Sequence, residues 1–212
     1  MRTSRLRASW WRELPAWAAI DILRGELRPP PMPTSGSPIP GGGGRIERLV
    51  ASIEACAEIT SETLAAALAA EPLQAEDVAP WVSFDARNYR RNRVLTRPRF
   101  ELRVLCWLPG QRTSLHAHGR SACAFRILAG TSTEIRLGQA DARREPGAVV
   151  AEDSPGLVHQ ITNLGHEPLV SLHAYAPALP IDQPPATYEG RHVVLIGGGV
   201  SGVALAIHLL RS

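Results

Sequence analysis

Two short runs decide the fold, Gly110-Gln-Arg-Thr-Ser-Leu-His116-Ala-His118 and Pro155-Gly-Leu-Val-His159-Gln-Ile-Thr-Asn163. Alternate residues of a β-strand share a face, so His116 and His118 point the same way. His159, from a neighbouring strand, would complete a set of three neutral nitrogen ligands for a first-row metal. The two runs therefore predict a metal site inside a small β-barrel.

Strand-like segments extend outward from these runs in both directions. Residues 100–108 alternate between apolar and polar side chains and end at Pro109-Gly110, which is typical of a strand followed by a turn. Further short strands are predicted at 114–118, 123–128, 131–137, 148–152, 158–163 and 169–175. Many short strands separated by glycine turns favour a mainly β fold, a sandwich or a barrel.

Two or three short helices are predicted ahead of the strands. Residues 46–57 carry apolar side chains at helical spacing. Thr60 or Ser61 can cap a second helix, rich in alanine and leucine, which Glu71-Pro72 ends. Residues 75–79 would add one more turn before Pro80.

The ends of the chain differ in composition from its middle. Residues 1–44 are predicted to be a disordered leader, and 179–190 a proline-rich linker. Residues 191–212 have the strand, glycine turn (Gly197, Gly199, Gly202) and helix that open a dinucleotide-binding unit. Because the rest of such a unit is missing, we expect an incomplete fragment of a longer fusion that binds neither FAD nor NAD.

Composition excludes several classes of function. A net charge of +3 without a basic stripe argues against nucleic acid. The three cysteines, Cys56, Cys106 and Cys123, are odd in number and suit a reducing cytosol. No apolar run is long enough to span a bilayer, and the N-terminus lacks the pattern of a signal peptide. We expect a cytoplasmic protein that does not bind membranes and is a monomer.

A row of polar side chains closes the central stretch. Ser171, His173 and Tyr175 are spaced by two residues, so one strand face carries a hydroxyl, an imidazole and a phenol. Such a row predicts a hydrogen-bonded relay beside the metal site. His173 is also an alternative to His159 as the third ligand.

The two opening runs resemble the halves of the cupin signature, with Cys123 where cupins commonly carry glutamate. Together with Cys106-Trp107, Tyr89-Arg90-Arg91-Asn92 and Ser171-Leu-His173-Ala-Tyr175, they closely resemble the cysteine dioxygenase family over residues 46–177. The resemblance implies a double-sheet cupin barrel, or jelly roll, with a thiol dioxygenase domain at 45–178.

The resemblance also implies an iron site. His116, His118 and His159 would bind Fe(II), although three histidines also suit zinc. Tyr175 would point at the iron, held by His173 and Ser171. Cys123 matches the position that forms a thioether crosslink to this tyrosine in some relatives, whereas many bacterial relatives carry glycine there.

Substrate binding is implied for Arg91 and Tyr89. Arg91 matches the arginine that binds the substrate carboxylate, and a guanidinium suits a carboxylate because its fork is planar and bidentate. Relatives acting on 3-mercaptopropionate carry glutamine there, so Arg91 favours cysteine. A slip in register would exchange it with Arg90 or Arg93. Tyr89 is implied as a wall of the pocket.

These observations lead to the hypothesis of a non-haem iron dioxygenase. It would convert L-cysteine and O2 to cysteine sulfinate, a known step of thiol oxidation. The alternatives are a dioxygenase for 3-mercaptopropionate or another thiol, and a non-catalytic metal-binding cupin that senses cysteine.

Overall fold

The computed structural model describes residues 44–117, 121–152, 158–179 and 186–187. Several predictions lie outside these residues. They concern the leader before Gly44, the ligand His118, and the glycine-rich fragment at 191–212 with Gly197, Gly199 and Gly202.

Two α-helices and one 3-10 helix precede the strands, as the sequence predicts. Helix α1 is Arg45–Glu54, α2 is Ser61–Ala70, and the 3-10 helix is Ala75–Trp81. Helix α2 begins after Thr60, whose hydroxyl oxygen accepts the Thr63 backbone N–H at 3.3 Å, and it ends at Ala70, ahead of Glu71-Pro72.

Ten strands follow in the described residues: β1 (Arg90–Thr96), β2 (Glu101–Trp107), β3 (His116–Ala117), β4 (Ala122–Ala129), β5 (Ser132–Arg136), β6 (Ala142–Arg144), β7 (Val149–Glu152), β8 (His159–Thr162), β9 (Leu169–Ala176) and β10 (Ala186–Thr187). They form two five-stranded sheets, with the orders β1-β2-β9-β4-β7 and β10-β3-β8-β5-β6. Every pairing between these strands is antiparallel. The described part of the chain is thus the double-sheet cupin barrel preceded by short helices, and the predicted fold class is confirmed for it.

The first sheet separates the helices from the site. Along β2 and β9 the even-numbered side chains, such as Leu102 and Leu172, join the buried apolar cluster that contains both α-helices. Odd-numbered side chains face the other way, because successive residues of a strand alternate. Leu105 and Trp107 on that face belong to a second cluster, with side chains from β4, β7 and β8. The inner face of this sheet is therefore available for chemistry.

Three strands are not foreseen by the sequence pattern. β1 contains three arginines and buries only Val94 and Leu95, so it lacks apolar alternation. β6 is short, and β10 falls within the span predicted to be a linker. Pairing with β2, β5 and β3, respectively, makes each of them a strand. Among the helices described, none has the length and apolar character needed to cross a bilayer.

Candidate metal centre and relay

Two histidines from adjacent strands face each other. His116 on β3 and His159 on β8 are direct partners in the antiparallel register, and their ring centroids lie 4.6 Å apart. Nδ1 of His116 lies 2.8 Å from the Ser114 carbonyl oxygen, and Nδ1 of His159 lies 2.9 Å from a Glu134 carboxylate oxygen. Because each of these oxygens is an acceptor, each Nδ1 carries the proton and donates. The lone pair of each ring is then on Nε2, the atom that would bind a metal.

Burial keeps the His116 ring neutral. Its side chain is almost completely enclosed, and this burial, followed by the neighbouring His159, lowers the pKa of His116 to about 4. A neutral imidazole is the form that ligates metals, so no proton has to be displaced at neutral pH.

A carboxylate network supports His159 from behind. Glu134 is fully buried on β5, and besides His159 it accepts a hydrogen bond from Arg136 at 2.7 Å. Burial alone would raise the pKa of Glu134, but these hydrogen bonds outweigh it and lower the pKa. Glu152 on β7 lies beside it, and burial with the Glu134 charge raises the pKa of Glu152.

Glu134, Glu152 and His159 also bring three potential metal-binding atoms within 4.8 Å of one another. However, the Arg136 guanidinium lies 2.7 Å from Glu134 and 3.7 Å from Glu152, and it compensates the Glu134 charge. We therefore interpret the cluster as hydrogen-bonded support for His159. Neither glutamate was predicted from the sequence; the signal for Glu134 was a charged residue that follows small polar ones in a predicted strand.

The predicted relay is present on β9. Nε2 of His173 lies 2.7 Å from Ser171 Oγ, and its Nδ1 lies 3.2 Å from the Tyr175 hydroxyl. Phe125 stacks on the imidazole, with a centroid distance of 4.8 Å. Burial lowers the pKa of His173 and raises the pKa of Tyr175, so imidazole and phenol are both neutral. Both ring nitrogens of His173 are engaged in this row, which argues against His173 as the third ligand.

Cys123 lies next to Tyr175. The two residues are direct partners in the register between β4 and β9, and their side chains are hydrogen bonded to each other. Cys123 is fully buried, and this burial, with the nearby Glu152, raises the pKa of its thiol. The sulfur is therefore in contact with the phenol, as a thioether between them would require.

Neighbouring arginines on β1 face opposite ways. Arg90 pairs with Asp85 at 3.7 Å, and Asn92, on the same face, bonds the Cys106 sulfur on the helix side of the sheet. Arg91 is opposite Leu105, whose side chain belongs to the inner cluster. Among the residues that the structure describes, no carboxylate is within ion-pair distance of Arg91.

The positive charge of Arg91 reaches the centre of the barrel. Burial has the largest effect on the pKa of each of three groups: it lowers the pKa of His116 and His173 and raises the pKa of Tyr175. The Arg91 charge acts in addition to lower the pKa of all three. The guanidinium therefore lies near enough to the histidines and the relay to act on an anion bound between them.

Tyr89 adds an aromatic surface beside Arg91. Its ring stacks on Trp107 with centroids 5.6 Å apart and an angle of 12° between the planes. Trp107 in turn contacts the His173 ring. The barrel interior thus brings together the two histidines, the relay, Cys123, Arg91 and Tyr89, whereas the position of His118 is not described.

Known proteins match this chain over the same region. The model of the family described as Cysteine dioxygenase type I matches residues 44–184. Cysteine dioxygenase type 1 of Homo sapiens is 31% identical over 144 residues, which cover 61% of this chain and 72% of the relative. The Rattus norvegicus protein of the same name is 32% identical with the same coverage.

Solved structures also resemble it. A conserved protein with a double-stranded beta-helix domain from Klebsiella pneumoniae is 23% identical, with a TM-score of 0.44 over 47% of this chain and 86% of that one. The TT1209 protein from Thermus thermophilus is 21% identical, with a TM-score of 0.45 over 50% of this chain and 100% of that one.

The family match covers more than half of the 212 residues. It includes both described histidines of the candidate metal centre, the relay, Cys123 and Arg91. The chain belongs to the cysteine dioxygenase type I family, a family of thiol-oxidising dioxygenases.

Proposed function

We propose that this chain is a non-haem iron dioxygenase that converts L-cysteine and O2 to cysteine sulfinate. The observation that carries the proposal is the arrangement of the barrel interior. Two imidazoles with fixed Nδ1 atoms share it with a hydroxyl relay and with Arg91, a cation that has no carboxylate partner among the described residues.

The donor set fits a first-row metal. His116 and His159 would ligate through Nε2, with His118 as the third ligand. When bound, Fe(II) would supply coordination positions for the thiolate and O2 and the redox capacity to join them. The same ligands would also hold zinc, so metal analysis forms part of the test.

Arg91 would bind the carboxylate of cysteine. Its guanidinium lies on the inner face, where its field reaches His173 and Tyr175, and an anion there would be paired without disrupting an existing ion pair. Tyr89, stacked on Trp107, would form the apolar wall beside it. The amine and thiol of the substrate would then be directed towards the metal that the histidines would hold.

The relay would orient the reacting sulfur and oxygen through the Tyr175 hydroxyl. Because burial keeps Tyr175 protonated, it acts as a hydrogen-bond donor rather than as a phenolate. Ser171 fixes the His173 ring, which in turn holds the phenol. Over the reaction, one thiol and one O2 give one sulfinic acid: both oxygen atoms end on sulfur, which is oxidised while O2 is reduced. No external reductant is required.

Purified protein is first loaded with Fe(II) under argon. O2 uptake is then measured after O2 is admitted, and the sulfinate product is quantified by mass spectrometry. L-Cysteine and 3-mercaptopropionate are compared, and bound metal is quantified in each preparation. Arg91→Gln is expected to lower kcat/KM for cysteine roughly 10- to 100-fold, as loss of a charge-assisted hydrogen bond pair would. Arg90→Gln is the matched control, since Arg90 lies on the other face.

Each alternative has its own outcome. Faster turnover of 3-mercaptopropionate would overturn the substrate assignment. Binding of cysteine without O2 uptake would indicate a sensor, and bound zinc with no uptake would contradict the iron assignment.

A further inference from the structure

A buried ion pair lies directly beside the relay. Glu101 and Arg103 are on the inner face of β2, opposite Tyr175 and His173 of β9 in the register. The Arg103 guanidinium binds both carboxylate oxygens of Glu101, with Nε–Oε1 at 2.8 Å and Nη2–Oε2 at 2.9 Å. Glu101 is 1% exposed. The proposed reaction assigns this pair no role, since Arg91 supplies the charge for the substrate.

Glu101 makes one further hydrogen bond, which reaches beyond the sheet. Its Oε1 accepts the backbone N–H of Leu179 at 3.1 Å. Leu179 lies just after the end of β9, and its side chain packs with Cys123 and Tyr175 in a separate buried cluster. The chain leaving β9 is thus hydrogen bonded to the neighbouring strand β2, while the Leu179 side chain packs on Tyr175 of β9.

A buried carboxylate needs partners for its lone pairs, because burying a charge without them is costly. Arg103 and the Leu179 N–H provide them. Because the Arg103 fork holds the carboxylate in one orientation, the position of Oε1 is fixed, and so is the backbone of Leu179. The hydrogen bond from the Leu179 backbone N–H to Glu101 thereby holds the Leu179 side chain against Tyr175.

Tyr175 therefore has neighbours in three directions. Cys123 and Glu101 flank it within the sheet, on β4 and β2, and Leu179 covers it from outside the sheet. Because Leu179 packs with Tyr175 and Cys123, a substrate long enough to extend into this corner would have to displace it.

We propose that Leu179 is the wall that limits substrate length beside Tyr175, and that Glu101, clamped by Arg103, is the positioning residue for it. This inference rests on the proposed thiol dioxygenase function. It concerns residues outside the metal ligands, the relay and the carboxylate-binding arginine.

The first experiment compares L-cysteine with L-homocysteine, which is one methylene longer. Leu179→Ala should raise the ratio of kcat/KM for homocysteine to kcat/KM for cysteine roughly tenfold, the scale of one methylene in an apolar pocket. Leu179→Val should shift the ratio in the same direction by less, and it provides the test if the alanine variant is poorly folded. Leu164→Ala is the control, because Leu164 is 67% exposed.

The second experiment needs no turnover. Protein from iron-depleted medium is alkylated with iodoacetamide, and labelling of Cys123 and Cys106 is followed by peptide mass spectrometry. Leu179→Ala should speed labelling of Cys123, whereas Cys106, buried on the helix side, should remain protected. Replacing both charges, Glu101→Leu with Arg103→Leu, removes the anchor without leaving a lone buried charge. The double variant should also speed labelling of Cys123. Labelling of Cys123 in Glu101→Gln, which keeps an acceptor oxygen, should be slower than in the double variant.

If the ratio of kcat/KM for homocysteine to kcat/KM for cysteine is unchanged in the Leu179 variants, Leu179 does not limit substrate length. Cys123 labelling equal to that of the original chain in the double variant would overturn the positioning role. If the original chain turns over neither thiol, the proposed function fails, yet the labelling results still decide whether Leu179 and Glu101 cover Cys123.

Discussion

The Nδ1 atom of His159 donates a hydrogen bond to the fully buried carboxylate of Glu134, 2.9 Å away on the neighbouring strand. This contact fixes which nitrogen of His159 faces the barrel interior. It also joins the candidate metal centre to a charge network, since Arg136 holds the other oxygen of the same carboxylate.

Glu134→Ala should weaken metal binding roughly 10- to 100-fold, because the partner that orients a ligating imidazole is lost. The measurement is Fe(II) or Co(II) affinity by competition with a chelator. Glu145→Ala is the control, since Glu145 is an exposed glutamate just after β6 with its own arginine partner. Equal affinity in the two variants would contradict the role of Glu134.

Cys123 and Tyr175 should become crosslinked during turnover. Forming a carbon–sulfur bond between them removes one hydrogen from the thiol and one from the ring, with O2 as the oxidant. Intact-mass spectrometry should show the loss of two hydrogens after incubation with Fe(II), cysteine and air. Cys123→Ser is the matched control and should keep its mass. An unchanged mass in an active preparation would show that the contact is only packing.

Ser171→Ala should lower kcat more than it changes KM. Ser171 Oγ is the partner of His173 Nε2, and without it the imidazole loses one of its two fixed contacts. The unpaired buried nitrogen should also cost about 1–3 kcal/mol of the free energy of unfolding. Steady-state kinetics and urea denaturation measure the two effects. A rise in KM alone would indicate that Ser171 acts on substrate binding instead.

The stability of the fold should fall at alkaline pH through Cys106. Burial raises the pKa of this thiol to about 12, whereas in the unfolded chain a cysteine ionises at about 8.5. Below the pKa of the unfolded chain, the Cys106 thiol is protonated in both states, and it costs the fold no stability. Above it the unfolded state binds fewer protons, so stability falls until the folded thiol also ionises.

Urea denaturation between about pH 8 and pH 10 checks this expectation, because that range begins just below the pKa of an unfolded cysteine and extends above it. Each pH unit above the unfolded value should remove at most about 1.4 kcal/mol through this one thiol. Cys106→Ala should show a shallower decline with pH, whatever its stability at the start of the range. Equal slopes would mean that other groups dominate the alkaline limb.

Gly130→Ala should be much more destabilising than Gly138→Ala. Both glycines have positive φ, +70° and +78°, so alanine would be strained at either position. A Cβ at Gly130 would lie 2.4 Å from the Pro168 carbonyl oxygen, whereas nothing lies within 4 Å of one at Gly138. We expect about 1–2 kcal/mol from strain at Gly138, and a clearly larger loss at Gly130. Thermal denaturation compares the two, and equal losses would contradict the close approach.

Local patterns were sufficient to predict most elements. Apolar spacing located α1, the Thr60 cap located the start of α2, alternation located β2, and glycine turns separated the strands predicted at β4 and β9. These features depend on residues close in sequence. β1 was missed because its arginines hide the alternation, and β10 was missed because it is two residues long and is a strand only by pairing with β3.

The chemical groups of the site are evident from the order of residues alone: a His-x-His and a distant histidine, a Ser-x-His-x-Tyr row, one cysteine where cupins carry glutamate, and a run of arginines. The sequence left open which arginine faces the barrel, and it did not show that Glu134 supports His159 or that Glu101 holds Leu179. These relationships follow from the folded chain, because each depends on the register between paired strands. A shift of one residue reverses the face of every side chain, and burial then sets the protonation of His116, His173, Tyr175 and Cys123.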